Sequence, residues 1–447
     1  MAVSLYLLTF NCARNLVQPN VFAPYLFHAL PPGSDSPSIL VLCLQELAPI
    51  GLAFLGGSYL TPYFNAFRRV VDLAGKESTY INIISRNVGL TAIMVFAKED
   101  VAANITWLQS AGIGLGVSEM GNKGAVGVRL GYRTAHETVP LTFVSAHLAP
   151  MEDALERRIQ DYKNIVQGLV FVSDEQKRPS MEDEGTVEDE GTVEDEGTVV
   201  DEGTVVDEGT EETPLLASRL EIVETNTHRG IYSPTSLLFF AGDLNYRTSG
   251  LRPSPDDVPR FPQPAKNEDD PNHFSHLLAE DQLQQQLRVG KTLYGLQEAP
   301  ITFPPTYKYQ QDGKTPVVTD GEHAWKWATH RWPSWCDRIL FSPTESHDIE
   351  VHHYTSLPLF ATSDHRPVAL AASILLPSVR DRTHPGATPA FPIDPNWRAR
   401  RDAARKKEVV VGLLAYLSLT REGNALVLAT IVGALAGWLI MRSALMG

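Results

Sequence analysis

An α/β fold is what the sequence predicts, from two observations: short apolar runs recur along most of the chain, and amphipathic helical patterns lie between them. The runs occupy residues 5–10, 39–44, 91–97, 124–130, 141–147, 236–241, 336–342 and 366–373. Many of them end in polar residues of restricted type, which places the chemistry at strand ends. Helical periodicity is clearest over 152–169, where Leu155, Ile159, Tyr162, Ile165 and Val166 share a face. A second helix is expected over 274–288 through Leu277, Leu278, Leu283 and Leu287. Both would pack outside the sheets.

A chain of 447 residues accommodates one large domain with appendages or two ordinary domains. The net charge of -15 is local: residues 182–212 hold fifteen Asp and Glu and no Lys or Arg, and without them the net is zero. A body with no excess positive charge is a poor sequence-independent nucleic-acid binder, so no nucleic-acid partner is expected. The acidic segment is a repeat, EDEGTV three times and then VDEGTV and VDEGT. It has too little apolar surface to offset its ordering entropy, and a disordered insertion over about residues 176–214 is expected. Cys12, Cys43 and Cys336 are few and far apart, which fits neither a disulfide framework nor a zinc site and points to a reducing, cytosolic setting. The start, MAVSLYLLTFN, has no basic n-region and no small-residue cleavage site, so Leu5 to Phe10 is read as a buried strand.

The catalytic body is expected to span 1–376. A linker over 377–408 follows, proline-rich and then basic through Arg398, Arg400, Arg401, Arg405, Lys406 and Lys407. A hydrophobic tail covers 409–441. Within it, 425–441 is seventeen residues without a charge, roughly 26 Å of helix, enough for a thin bilayer such as that of the endoplasmic reticulum. A basic cluster before a terminal apolar helix resembles a tail anchor with the main body facing the cytosol. Gly433 and Gly437 form a small-xxx-small pair, a weak dimerisation signal.

Six segments concentrate polar and acidic residues at the ends of apolar runs: TFN (9–11), LQE (44–46), SAHL (145–148), GDLNYR (242–247), WCDRIL (335–340) and TSDHRP (362–367). Each alone is an ordinary strand end. Together they supply what hydrolysis of a phosphate ester with one hard metal ion needs. Glu46, helped by Asn11, offers oxygen ligands for Mg²⁺. Asp243 and Asn245, two apart, project to one face and orient a water and a phosphate oxygen. His147 and His365 donate to phosphate oxygens, and Asp337 fixes the tautomer of His365.

The order and spelling of these segments resemble the inositol polyphosphate 5-phosphatases, within the magnesium-dependent endonuclease, exonuclease and phosphatase superfamily. The resemblance runs from about residue 4 to 374, omitting the acidic insertion. Asn11, Gln45-Glu46, His147, Asp243-Leu244-Asn245 and Ser363-Asp364-His365 carry it at the superfamily level. GNKGAVGVRL (121–130), GDLNYR, PPTYKY (304–309) and PSWCDRIL (333–340) carry it at the 5-phosphatase level.

The resemblance implies a four-layer α/β sandwich, with two mixed sheets face to face, helices outside and the site at one sheet edge. It implies Glu46 as principal magnesium ligand with Asn11 beside it, and Asp243 as the water-activating residue. Asn245, His147 and His365 would hold the scissile phosphate, with Asp337 supporting His365 and Asp364 completing the site. Lys123, Arg247, Tyr307, Lys308, Arg331 and Arg338 are the implied ring-phosphate contacts. Thr329 departs from the family, which often has a basic residue there, although Lys326 is close in sequence. The expected substrate is a phosphoinositide carrying a 5-phosphate or a soluble inositol polyphosphate. A phosphodiesterase reading is opposed by the segments around Lys308 and Arg338, and a catalytically dead membrane scaffold by the retention of every metal and water-orienting residue.

Overall fold

The computed structural model describes residues 2–75, 78–135, 137–172, 229–233, 236–265, 267–310, 315–319, 324–342, 349–375 and 391–446. The acidic repeat and residues 377–390 of the expected linker lie outside the described residues.

Thirteen strands are described: β1 Ala2–Asn11, β2 Ile39–Gln45, β3 Tyr80–Val88, β4 Thr91–Lys98, β5 Ile105–Gly114, β6 Gly124–Arg133, β7 Thr138–His147, β8 Leu237–Asp243, β9 Val317–Val318, β10 Asp337–Phe341, β11 Ile349–Ser356, β12 Leu359–Phe360 and β13 Val368–Leu375. They form a six-stranded sheet, β11-β13-β1-β2-β4-β3, a five-stranded sheet, β10-β8-β7-β6-β5, and a small β12-β9 pair. Both large sheets are mixed. β1 and β2 run parallel, as do β7 and β8, while their other neighbours are antiparallel.

The strand period of two divides each central strand between two cores. Leu5, Leu7, Val41 and Val95 of the first sheet meet Val128, Phe143, Phe239 and Ile339 of the second in one dry layer. Alternate residues of the first sheet, such as Leu8, Leu40 and Leu42, pack against Phe67, Val70 and Val71 of the Thr61–Ala74 helix. On the far side of the second sheet, Val144, Leu238 and Phe240 pack against Tyr162, Ile165 and Val166 of the Leu155–Gly168 helix. This is the four-layer sandwich. Strands buried on both faces read as continuous apolar runs, which is why all eight expected runs are strands.

Three features differ from expectation. The edge strands β3, β5 and β11 carry half-exposed and polar residues and have no continuous apolar run. The helix expected over 274–288 is two short ones, Ser275–Leu278 and Gln282–Arg288, because Asp281 leaves the helical path and its carboxylate caps the second by accepting from Gln284 N at 2.9 Å. The basic half of the expected linker and the first apolar stretch form one helix, Trp397–Leu419, that docks on the sandwich at the Ile50–Leu55 helix. Its buried residues Ala404, Glu408 and Gly412 recur every fourth position, a face of small or polar residues that hydrophobic periodicity does not register.

After Thr420 the chain turns into the Arg421–Met446 helix. Within Arg421–Leu445 an 18-residue window has a mean hydropathy of 2.0, and none of that window is buried inside the protein, so this is a candidate membrane span. Gly433 and Gly437 face open space.

Candidate active site

Strand register brings the polar segments to one edge of the sandwich. Asn11 at the end of β1 lies opposite Gln45 at the end of β2, and in the other sheet His147, Asp243 and Asp337 align across β7, β8 and β10. Glu46 and Asn245 leave their strands with φ of 46° and 56°. Non-glycine residues in this left-handed region store strain, a frequent mark of functional positions.

Asp243 is the centre. Its Oδ2 accepts from Asn11 Nδ2 at 2.8 Å and lies 3.1 Å from His147 Nε2 and 4.0 Å from His365 Nε2. Its Oδ1 accepts from Asn245 N at 3.2 Å. Burial works against the carboxylate, but His147, His365 and Lys123 outweigh it and hold Asp243 ionised. His365 Nδ1 donates to Asp337 Oδ2 at 2.8 Å, and Thr306 Oγ1 donates to the same oxygen at 2.7 Å. Burial disfavours the imidazolium, yet Asp337 and Asp243 together raise the pKa of His365 to about 9. Burial pushes the Asp337 carboxyl up. For His147, burial and then the Lys123 ammonium lower the pKa, against the pull of Asp243 and Glu46.

Glu46 sits at the mouth. Burial opposes its charge, but His147, Lys123 and Arg14 hold it down at about 2. Arg14 Nε donates to its Oε2 at 2.8 Å, and Lys123 Nζ lies 3.6 Å from its Oε1. Lys123 also contacts the His147 imidazole closely. Asn11 Oδ1 accepts from Ala13 N at 3.0 Å, leaving one lone pair for another ligand.

The remaining candidates divide. Lys308 Nζ pairs with Asp364 Oδ2 at 2.6 Å, and Arg331 pairs with Glu152 at 2.7 Å. The Tyr307 ring stacks on His365 with centroids 4.5 Å apart, and the Arg247 guanidinium lies 4.6 Å from the Tyr307 centroid. Arg247 also donates through Nε to Asn245 O at 3.0 Å, so its first role is to brace the Asp243–Asn245 turn. Arg338 is a correction. It follows Asp337 on β10 and points to the opposite face, fully buried, where it donates to both Asp281 oxygens at 2.9 and 3.0 Å and to Glu298. No ring phosphate reaches it. Arg14, Thr306, Ser363 and Glu152 were not singled out as site residues. Thr306 and Ser363 lie inside quoted segments, and Ser363 Oγ ties Asn11 O to His365 N. Arg14 and Glu152 have no sequence signal beyond their closeness to Asn11 and His147.

The donor set fits a hard divalent cation. Glu46 is ionised and accessible, Asn11 has a spare carbonyl lone pair, and Asp337 Oδ1 is buried without a hydrogen-bond partner. Asp243, Asp337 and His365 place candidate ligand atoms within 4.8 Å of one another. His365 and Asp337 already bind each other, which favours an imidazole–carboxylate pair there.

The Endonuclease/Exonuclease/phosphatase family 2 profile matches residues 8–371. The chain belongs to that family. Inositol polyphosphate 5-phosphatases are among the proteins it is similar to. It is 27% identical over 315 residues to type I inositol polyphosphate 5-phosphatase 13 of Arabidopsis thaliana, covering 67% of this chain and 24% of that protein. It is 29% identical over 293 residues to inositol-1,4,5-trisphosphate 5-phosphatase 1 of Schizosaccharomyces pombe, covering 65% and 19%. The match thus spans about a fifth to a quarter of these relatives' length. The crystal structure of the inositol polyphosphate 5-phosphatase domain of SPSYNAPTOJANIN, in complex with inositol (1,4)-bisphosphate and calcium ion, superposes with a TM-score of 0.57. That likeness covers 92% of this chain and 90% of the other at 23% identity, and it speaks to the fold.

Proposed function

We propose that this family member hydrolyses the 5-phosphate of phosphoinositides such as phosphatidylinositol 4,5-bisphosphate, and of soluble inositol polyphosphates, with Mg²⁺, at the cytosolic surface of the endoplasmic reticulum membrane. The observation that carries the reading is the Asp243 carboxylate, held ionised while bonded to Asn11 and flanked by two imidazoles. The relatives' names supply the substrate class.

Asp243 accepts a proton from the attacking water, and Asn245, its backbone locked to Asp243, orients that water or a phosphoryl oxygen. His365, kept protonated by Asp337, donates to an oxygen on which charge develops. His147 and Lys123 flank the same group from the opposite side. Lys308 and Arg331, each held by a carboxylate, present cations to the ring phosphates, with Asp364 setting the position of Lys308. Mg²⁺ on Glu46 and Asn11 would neutralise charge on the transferring group.

The membrane part rests on the Arg421–Leu445 helix. Leu426, Leu428, Val432, Leu435 and Leu439 are all exposed on it, a surface that water does not favour and acyl chains do. An anchored enzyme meets lipid head groups at high local concentration.

Asp243→Ala tests the assignment. Phosphate release should fall by about 10²- to 10⁴-fold, the usual worth of a positioned base. Vesicle flotation should be unchanged, and full residual activity would refute the role.

A further inference from the structure

The docked Trp397–Leu419 helix does more than connect the body to the tail. Two close backbone approaches seat it. A side chain at Gly412 would meet the Phe54 Cβ at 2.9 Å, and one at Gly51 would meet the Tyr416 nitrogen at 2.9 Å. Arg405 donates to the carbonyls of Phe54 and Leu55 at 2.6 and 3.0 Å, closing the end of the Ile50–Leu55 helix, where orphan carbonyls need donors. That short helix begins four residues after Glu46.

Glu408 lies on the same face and is buried. Its Oε1 accepts from Gly121 N at 2.7 Å, and its Oε2 lies 3.3 Å from Arg405 Nη1. Gly121 opens the segment that carries Lys123. Its backbone lies so close to Gly89 that a Cβ would stand 2.7 Å from the Gly89 nitrogen. From there a relay of backbone bonds reaches the site: Gly121 O accepts from Leu90 N at 2.9 Å, and Leu90 O accepts from Leu47 N at 3.1 Å. Leu47 follows Glu46 directly. One buried carboxylate on the membrane-proximal helix therefore holds the shared support of Lys123 and Glu46, which lie 3.6 Å apart.

We infer that Glu408 is a positioning residue for the active site, setting the Gly121–Lys123 loop and, through Leu90 and Leu47, the exit of β2 at Glu46. The inference rests on the phosphatase reading above. It makes the docked helix a working part of the catalytic body.

The full chain in lipid vesicles tests this through Glu408→Ala and Glu408→Gln. The amide of Gln keeps an oxygen for Gly121 N, while Ala removes it. Glu408→Ala should lower kcat about 10-fold or more with a smaller change in KM, because misplacing catalytic groups acts on the transition state. It should also speed hydrogen exchange at the amides of Gly121, Leu90 and Leu47, with flotation unchanged. Glu408→Gln should restore both kcat and exchange protection. Wild-type kcat in Glu408→Ala, unchanged exchange there, or a Gln variant as impaired as Ala would overturn the inference. Should the wild-type chain release no phosphate from any substrate, the phosphatase reading fails, while the exchange comparison still decides whether Glu408 orders the loop.

Discussion

His365 shows how much of the chemistry lies in one pair of side chains. Its imidazole faces two carboxylates, Asp337 at 2.8 Å and Asp243 at 4.0 Å, and these outweigh burial to raise its pKa to about 9. If the protonated form donates to the phosphoryl group, kcat/KM should fall as pH rises through about 9. Asp337→Asn removes one of the two negative charges, lowers the pKa of His365 and moves that limb to lower pH. A pH–rate profile on both proteins checks this, and a limb that stays in place would remove His365 from the acid role. Glu46, held ionised to about 2, contributes no limb in the neutral range. These residues were legible in the sequence because each stands at one end of an apolar run or just beside it. Arg14 and Glu152 were not, because each acts by pairing with a residue distant in sequence, as Glu152 does with Arg331.

At the scale of elements, strand pairing decides which neighbouring residue does chemistry and which holds the fold. Asp337 and Arg338 are consecutive on β10, and the period of two sends the first to the site and the second into a buried cluster with Asp281 and Glu298. Spelling alone cannot separate them, since WCDRIL offers both as charged residues beside an apolar run. Arg338→Met would strand two buried carboxylates, at a cost of about 3–5 kcal/mol. Denaturant unfolding should show that loss, while the KM of the folded protein stays near wild type. A large rise in KM without loss of stability would restore Arg338 to the ring-phosphate contacts. The central strands were readable because both faces are buried. The edge strands β3, β5 and β11 were not, because one face meets water and their sequences mix polar with apolar positions.

Across the whole molecule, the catalytic body, the docked helix and the apolar helix follow one another with only Thr420 between the last two. The candidate membrane span is therefore joined to the body through a packed helix, where the sequence suggested a linker. The reason lies in the docking face, whose Ala404, Glu408 and Gly412 give close approach and a hydrogen bond in place of an apolar stripe. The central claim is phosphate release from the 5-position, and the most direct measurement is product identification. Full-length protein in vesicles would be given phosphatidylinositol 4,5-bisphosphate with Mg²⁺ or with chelator, alongside phosphoinositides phosphorylated only at other ring positions. Mg²⁺-dependent conversion to phosphatidylinositol 4-phosphate, with the other lipids untouched, is the predicted result. No conversion, or removal of the 4-phosphate instead, would contradict it.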